Sequence, residues 1–475
     1  MGEDIVLFAE QKKIYPKDVA GRYRRLRWYA LFILLGIYYS VPWMRWDRGE
    51  HSPDQAILID MPSRRAYFFN IELWPQDVYF FAGIMILAAI GLFFVTSMFG
   101  RVWCGYACPQ TVWTDLFIAV ERFIQGDRNK RIKLDKAKLS LEKIWKKGAT
   151  HIIWLIIALC TGGAWVFYFV DAPTLFDQIV HFDISWMVGG WMLGLTFSTY
   201  IMAGYAREQV CTYVCPYSRF QSAMFDKDTL IIGYDRERGE PRGKHKQGES
   251  WQDRGHCVDC AQCVNVCPMG IDIRNGLQME CIACGLCIDA CNDVMHKLEL
   301  PQGLIRYDTQ NNYEARTIAK AQNILFKPQF RFVRPRTIYY TLLITFISAL
   351  MLYAFFNRTA IEMNIIHDRN PLFVQLSNGD IRNSYTVKII NKTHEDQSVR
   401  LRIKGLDNPS ITVMGAGDIQ PENLTVLANA VTSFRIMLTA TPQKEKREDI
   451  IIEAFNLNKP VLSVSYETVF VSEKF

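Results

Sequence analysis

The chain begins as long apolar runs separated by basic, polar segments, and its last quarter changes to short alternations of apolar and polar residues. Five runs are candidate membrane helices: Trp28–Trp43, Val78–Phe99, Ile152–Val170, Ile184–Gly204 and Ile338–Phe356. Each approaches the ~20 apolar residues that a hydrocarbon core requires. The first is the shortest and fits a tilted or partly interfacial helix. Buried soluble helices are the competing reading. Trp28, Tyr29, Trp43, Trp46, Trp74, Tyr79 and Trp186 at the run ends weigh against it, because such aromatics mark membrane interfaces.

After Phe356 the pattern predicts strands at Phe373–Leu376, Tyr385–Asn391, Val399–Lys404, Ile411–Met414, Val431–Thr439, Ile450–Phe455 and Val461–Val471, with Asn, Gly, Pro and Asp between them. Such spacing reads as an immunoglobulin-like β-sandwich. It carries no cysteine pair, so its apolar core must suffice, and no catalytic set is visible in it.

Of the 475 residues half are hydrophobic, and the net charge is +6. The charge is unevenly placed. Lys and Arg crowd the segments before the first run (Lys12 to Arg27), between the second and third (Arg128 to Lys147) and before the fifth (Lys327 to Arg336), whereas Asp171–Asp183 has none. Arg45, Arg48, Arg64 and Arg65 between the first two runs dissent mildly. The positive-inside rule then places the N-terminus in the cytoplasm and the C-terminal domain outside, in the periplasm. The basic residues point to a membrane surface, and no nucleic-acid motif accompanies them.

Thirteen cysteines refine this picture. Eight lie in Cys257-x2-Cys260-x2-Cys263-x3-Cys267-Pro268 and Cys281-x2-Cys284-x2-Cys287-x3-Cys291. This is the bacterial two-cluster ferredoxin spacing, in which the fourth cysteine of each run serves the other cluster. One 4Fe-4S cluster is therefore assigned to Cys257, Cys260, Cys263 and Cys291, and the second to Cys267, Cys281, Cys284 and Cys287. Zinc would need fewer thiolates and a longer spacer. Asn292 stands where the second run would carry proline, so the exit from that run is expected to differ.

Four more cysteines form a repeat: Trp103-Cys104-Gly-Tyr-Ala-Cys108-Pro109 and Val210-Cys211-Thr-Tyr-Val-Cys215-Pro216. Each unit follows an apolar run, each has an arginine shortly before it (Arg101, Arg207), and the proline breaks the chain or opens a new helix. If the units pack together, Cys104, Cys108, Cys211 and Cys215 converge at the inner rim, with arginines favouring thiolate. Such a set suits a soft metal such as Cu(I), a dithiol–disulfide couple or a further metal centre, and four inert buried cysteines are the plain alternative. Cys160 lies within an apolar run, where a lone cysteine acts as a small hydrophobe. His151 and His181 flank the third run and read as single interfacial histidines.

These features predict a polytopic α-helical membrane protein of about five spans, with a cytoplasmic two-cluster ferredoxin domain and a C-terminal immunoglobulin-like β-sandwich. The expected divisions are a cytoplasmic segment 1–27, a four-helix membrane domain 28–220 bearing both CxxxCP units, a ferredoxin-like domain 221–336, a fifth span 337–356 and a periplasmic sandwich 357–475.

With Ile14-Tyr-Pro-Lys, Tyr234-Asp-Arg-Glu-Arg-Gly-Glu-Pro-Arg-Gly243 and Gly303-Leu-Ile-Arg-Tyr-Asp308 beside the paired CxxxCP units and the double ferredoxin motif, the chain resembles the FixG/RdxA family of cytochrome c oxidase accessory proteins, also called CcoG. NapH and NosR share the cysteine motifs but are set apart by the sandwich. The resemblance implies a bacterial inner-membrane protein that reduces Cu(II) to Cu(I) for assembly of the cbb-type oxidase. Copper would then be substrate or transient ligand at Cys104, Cys108, Cys211 and Cys215. It also implies oxidase subunits or copper-delivery proteins as partners, besides membrane lipid and an electron donor that the sequence does not name. Whether the chain forms a homo-oligomer stays open. A quinol-oxidising conduit of the NapH type and a non-enzymatic assembly scaffold are the alternative functions.

Overall fold

The computed structural model describes residues 13–472 apart from 50–51, 246–249, 253, 323, 415–420, 422, 444 and 458–461. The chain forms two compact units. One comprises residues 1–45 and 55–351, the other 46–54 and 352–475. The loop segment Trp46–Asp54 therefore belongs with the C-terminal unit, which the sequence division at 357 did not anticipate.

Among the described residues three helical segments are long and apolar enough to cross a membrane: Pro75–Phe99, Leu141–Val166 and Pro335–Phe356. The other two apolar runs are helical but differ from expectation in instructive ways. The first lies in the helix Arg22–Ser40, whose opening turns are arginine-rich and bury Arg24 and Arg27. The fourth is the helix Trp186–Tyr200, which continues as a π-helical turn over Ile201–Ala206.

Local chemistry sets where these helices begin. The Ser140 and Ser185 hydroxyls accept from the backbone N–H groups of Lys143 and Val188, capping donors that a helix start leaves unpaired. Helices Leu141–Val166 and Trp186–Tyr200 pack closely through Gly162: a Cβ there would stand 2.8 Å from Thr196 Oγ1 and 3.0 Å from the Met192 carbonyl. Small residues at such crossings let membrane helices approach. Cys160, two residues before Gly162, sits on an exposed face of its helix.

Two further elements escaped the sequence reading. Ile57–Asp60, Arg65–Phe68 and Ile71–Leu73 form a three-stranded antiparallel meander. Pro109 does open a new helix, one of the two outcomes expected of it, but the amphipathic character of Pro109–Gln125, which buries Val112, Asp115, Phe117, Ile118 and Glu121, was not read from the sequence.

The cysteine-rich part is framed by an antiparallel pair of strands, Leu230–Tyr234 and Ile305–Thr309. Between them lie the short helix Gln262–Asn265 and the longer Leu286–Lys297. Its core gathers Ile232, Ile273, Met295, Leu304 and Ile305 around the cysteines.

The C-terminal unit is a sandwich. One sheet orders Ser410–Met414, Ala430–Ala440, Ile381–Asn391 and Ile361–His367, with Val374–Gln375 also paired to Ile381–Asn391. The other orders Leu424–Val426, Gln397–Lys404, Arg447–Asn456 and Val464–Val471. Tyr385, Val387, Ile389, Ile436 and Leu438 from one sheet share a core with Leu401, Ile450, Ile452 and Phe470 from the other. The seven expected strands are present; Ile361–His367 and Leu424–Val426 are additional.

Candidate iron–sulfur and thiol site

The two ferredoxin runs fold alike. In each, the residues on either side of the second cysteine adopt positive φ: Asp259 (53°) and Ala261 (52°) in the first, Ala283 (50°) and Gly285 (78°) in the second. Non-glycine residues enter this region at a cost. Its recurrence at matched positions turns the backbone sharply enough to bring successive cysteines to a common centre.

The structure brings the fourth cysteine of the second run to the first three of the first run. Cys257, Cys260, Cys263 and Cys291 line one small cavity with Tyr234 and Leu304. Burial, followed by the negative fields of Cys263, Cys257 and Cys260, pushes the Cys291 thiol up to about 12. Burial and then Cys284, with Cys281 further down, do the same to Cys267, also up to about 12. Cys287 is raised by burial and by Cys284, Cys281 and Cys267.

Two sets of four neighbouring thiols, with Cys263, Cys267, Cys281, Cys287 and Cys291 held protonated chiefly by burial, suit a positively charged centre, since coordination removes the thiol proton. Among the described residues no three His, Cys, Asp or Glu side chains close on a single-ion site. A cavity edged by four separated thiols fits a larger group, and the donor chemistry fits 4Fe-4S clusters. Cys257, Cys260, Cys263 and Cys291 would hold one, and Cys267, Cys281, Cys284 and Cys287 the other. When bound, such clusters supply one-electron transfer.

Asn292 explains the missing proline. The chain runs on through Cys291 as helix to Lys297, and the Asn292 side chain accepts from the Gly303 backbone N–H at 2.9 Å. A proline would have ended that helix early.

The CxxxCP units share more than sequence. Trp103–Ala107 and Val210–Val214 are both π-helical turns, closed by Cys108 N–H to Trp103 O (2.9 Å) and Cys215 N–H to Val210 O (2.8 Å). Cys108 and Cys215 are then extended, and Pro109 and Pro216 open new α-helices. Such π turns recur at functional sites.

The units also interlock. Gln221, on the helix after Cys215, donates to the Cys104 sulfur at 3.1 Å. Gln110, two residues after Cys108, donates to the carbonyls of Met202 (2.8 Å) and Arg207 (3.1 Å) beside the second unit. These glutamines carry no sequence signal beyond their place next to the motifs. The four thiols share one electrostatic neighbourhood. Burial first, then Cys108, Cys104 and Cys215, push Cys211 up to about 12. Cys104 is pushed up to about 11 by burial, against the Gln221 hydrogen bond and the Arg101 charge.

The expectation that the preceding arginines favour thiolate is therefore not met. Both guanidinium groups are engaged elsewhere. Arg101 donates to the carbonyls of Met279 and Ser218, and Arg207 pairs with Glu121 at 2.8 Å. Burial outweighs what remains of their fields.

The thiol site touches the second cluster's loop directly. Gly105, between Cys104 and Tyr106, lies on the Ile282–Cys284 backbone, and the Tyr106 hydroxyl donates to the Cys284 carbonyl at 3.0 Å. Cys104 packs with Val266, Ile282, Cys284 and Leu286. Near this contact both Asp115 oxygens accept from Arg24 Nη1 (2.9 and 2.7 Å), and Asp115 lies 3.4 Å from Arg27, which also neighbours Cys284.

Comparison with known proteins follows the same divisions. Residues 206–310 match a model described as a 4Fe-4S dicluster domain, and residues 81–131 one described as a 4Fe-4S binding domain. Residues 351–473 match the IG-like fold at the C-terminus of FixG. The nitrogen fixation protein FixG of Rhizobium meliloti (strain 1021) is 46% identical over 457 residues, covering 91% of this chain and 87% of its own. The chain belongs to the FixG/RdxA family.

Protein RdxA of Cereibacter sphaeroides is 44% identical over 437 residues, covering 91% of this chain and 90% of its own. The ferredoxin-type protein NapH of Haemophilus influenzae is 25% identical over 226 residues, covering 45% of this chain and 67% of its own. A crystal structure of a FixG-related protein from Vibrio parahaemolyticus aligns with 24% of this chain and 99% of its own, at 24% identity and TM-score 0.21. As a FixG/RdxA protein with two 4Fe-4S-type domains and three membrane-length apolar helices, the chain is an iron–sulfur electron-transfer protein of a membrane. The two 4Fe-4S models together contain all twelve motif cysteines, including Cys104, Cys108, Cys211 and Cys215.

Proposed function

We propose that this FixG/RdxA protein is a cupric reductase that supplies Cu(I) for assembly of the cbb-type cytochrome c oxidase. The observation that carries the reading is the seat of Cys104 and Gly105 on the Ile282–Cys284 loop. Reduction of Cu(II) to Cu(I) consumes one electron and leaves the metal in the state that sulfur ligands prefer. Cys104, Cys108, Cys211 and Cys215 receive copper as a passing substrate. Partners in this reading are oxidase subunits or copper-delivery proteins, met at the sandwich domain or at the thiol rim.

In this reading residues 13–27, 128–147 and 257–291 lie on the cytoplasmic side of the inner membrane and the sandwich in the periplasm, which the distribution of basic segments supports. The test is direct. Protein purified with its iron and reduced by dithionite is freed of excess reductant and mixed with Cu(II) and a Cu(I)-specific chelator. Cluster reoxidation matched mole for mole by Cu(I) supports the reading, and Cu(II) that leaves the clusters reduced overturns it.

A further inference from the structure

Arg27, in the second turn of the helix Arg22–Ser40, is 5% exposed and lies between the second cysteine run and the thiol site. It neighbours Cys284, and it shares a narrow cavity of about 30 Å³ with Ile282, Met269 and Cys211. Its charge is only partly matched. Both Asp115 oxygens accept from Arg24, and Arg27 reaches the same carboxylate through Nη2 at 3.4 Å. Asp289, also buried, is taken up by the backbone N–H groups of Tyr23 and Arg24, and the nearby cation Arg122 pairs with Asp18 at 2.9 Å. Asp115 is thus the carboxylate that Arg27 reaches, and it is shared. Arg27 Nη1 is buried and, among the described residues, has no hydrogen-bond partner. Buried donors are almost always paired, so this one lacks an acceptor that a sulfur-rich group held by Cys284 would bring.

The first cysteine set is arranged differently. Arg274 lines its cavity but pairs with both Asp259 (2.5 Å) and Asp272 (2.7 Å), and Cys260 is exposed to solvent. Water can stabilise added charge there. None of Cys267, Cys281, Cys284 and Cys287 is exposed. A cluster that accepts an electron gains one negative charge, and its potential follows net charge, hydrogen bonds to sulfur and solvent exposure. In a buried site the added charge is costly unless it is paired. Arginine suits the position because it stays charged when buried.

We propose that Arg27 raises the reduction potential of the second cluster, by its charge and by donating Nη1 to sulfur at Cys284, and so lets the cluster nearest the thiol site hold an electron. The step is the gain of one electron by that cluster, with no bond broken. The inference rests on the assignment of Cys267, Cys281, Cys284 and Cys287 to one cluster and on nothing about copper. Full-length protein with its iron, in detergent, is titrated with dithionite under potential control, and both clusters are followed by low-temperature EPR. Arg27→Gln should make one of the two reduction steps at least tenfold less favourable, about 59 mV for one electron, and leave the other unchanged. Arg274→Gln, at the first cavity, should move the other step. Arg27→Lys keeps the charge and should recover most of the loss. Asp115→Asn removes the opposing negative charge and should make the second step easier. A merely structural role would move Arg27→Gln and Asp115→Asn in the same direction. Should Arg27→Gln lose iron, Asp115→Asn decides: easier reduction supports the proposal, and an unchanged or harder step overturns it. A step that stays put in Arg27→Gln, or that falls as far in Arg27→Lys, also overturns it. A wild type with iron for one cluster and a single reduction step would overturn the cluster assignment, and the proposal with it.

Discussion

Gly105 faces Cys284 so closely that a Cβ on the glycine would stand 3.1 Å from the cysteine's Cα and 2.7 Å from the Ile282 carbonyl oxygen. Backbone meets backbone here, so no side chain can swing aside to make room. The contact joins a CxxxCP unit to the loop of the second cluster, and the first intervening residue of that unit must be small for the two to touch. The equivalent position of the other unit is Thr212, whose hydroxyl bonds the Glu208 carbonyl within its own turn. The repeat is therefore asymmetric where it matters: one unit docks on the cluster domain and the other does not have to.

Gly105→Val should separate the thiol site from the cluster loop. Overpacking of this kind costs about 1–3 kcal/mol. The expected outcome is a lowered thermal midpoint with the iron content of the protein retained, and slower electron exchange between clusters and copper. The check is iron and acid-labile sulfide analysis beside the copper-mixing experiment. Unchanged kinetics and stability would show that the loop yields freely.

Asp115 holds Arg24 and Arg27 under the same contact. Burial would raise its pKa, but the charges of Arg27 and Arg24 outweigh burial and hold it below the ordinary 3.8. A carboxylate with a depressed folded-state pKa contributes stability that is present above its unfolded value and is lost as pH falls through the folded one. The wild type should therefore begin to lose this contribution only below about pH 4. Asp115→Ala strands two buried guanidinium groups and should destabilise by about 3–5 kcal/mol at neutral pH. The wild-type and variant stability curves should converge on acidification; a gap that stays constant from pH 7 to pH 3 would refute the linkage.

In the sandwich, Asn383 ties the two sheets by side chain. Its amide donates to the Val471 carbonyl at 2.8 Å and its oxygen accepts from the Val471 N–H at 3.1 Å, while the Tyr385 hydroxyl reaches the Val469 carbonyl at 2.9 Å. Asn383→Ala leaves both part-buried Val471 groups without this partner, at about 1 kcal/mol for each hydrogen bond lost. Proteolysis of the full-length chain should then cut the C-terminal unit sooner, with the membrane fragment as resistant as before. Equal resistance of the two proteins would place the tie outside what holds the sheets together.

These relationships differ in how far the residues alone reveal them. The ferredoxin spacing is legible because the chemistry demands thiols at fixed intervals, and from it comes the expectation that places Cys291 with Cys257, Cys260 and Cys263, beside which it lies. The strands are legible where alternation runs long, as in Ile381–Asn391, and lost where it is brief, as in Leu424–Val426. Ile361–His367 hides because it begins a few residues after a membrane-length helix. The helix start at Pro109 is legible as one of two options, but the amphipathic face and length of Pro109–Gln125 hide behind a search for uniformly apolar runs. The π turns are illegible for a different reason. Cysteines four apart suit an α-helix or a π turn equally, and only the bond from residue five to residue zero, Cys108 to Trp103, separates them. Nor does the nearness of Arg101 and Arg207 to the cysteines say where their guanidinium groups go.

The division between cluster cysteines and substrate cysteines yields the sharpest prediction. Cys108 and Cys215 are the extended residues that leave each π turn, and neither belongs to the two ferredoxin sets. Serine at both positions removes two soft donors while keeping size and hydrogen bonding close to native. The double variant Cys108→Ser/Cys215→Ser should keep the low-temperature EPR signals of both reduced clusters and their iron, and should form Cu(I) at less than a tenth of the wild-type rate. Removing iron from the wild type with a chelator should abolish Cu(I) formation while leaving the four rim thiols reactive to alkylation. The two treatments thus remove the same activity from opposite ends of one chain of contacts. If the serine variant instead loses a cluster signal or a fraction of its iron, Cys108 and Cys215 hold iron themselves. The rim thiols would then belong to the protein's resident iron centres, and copper would have to be met elsewhere.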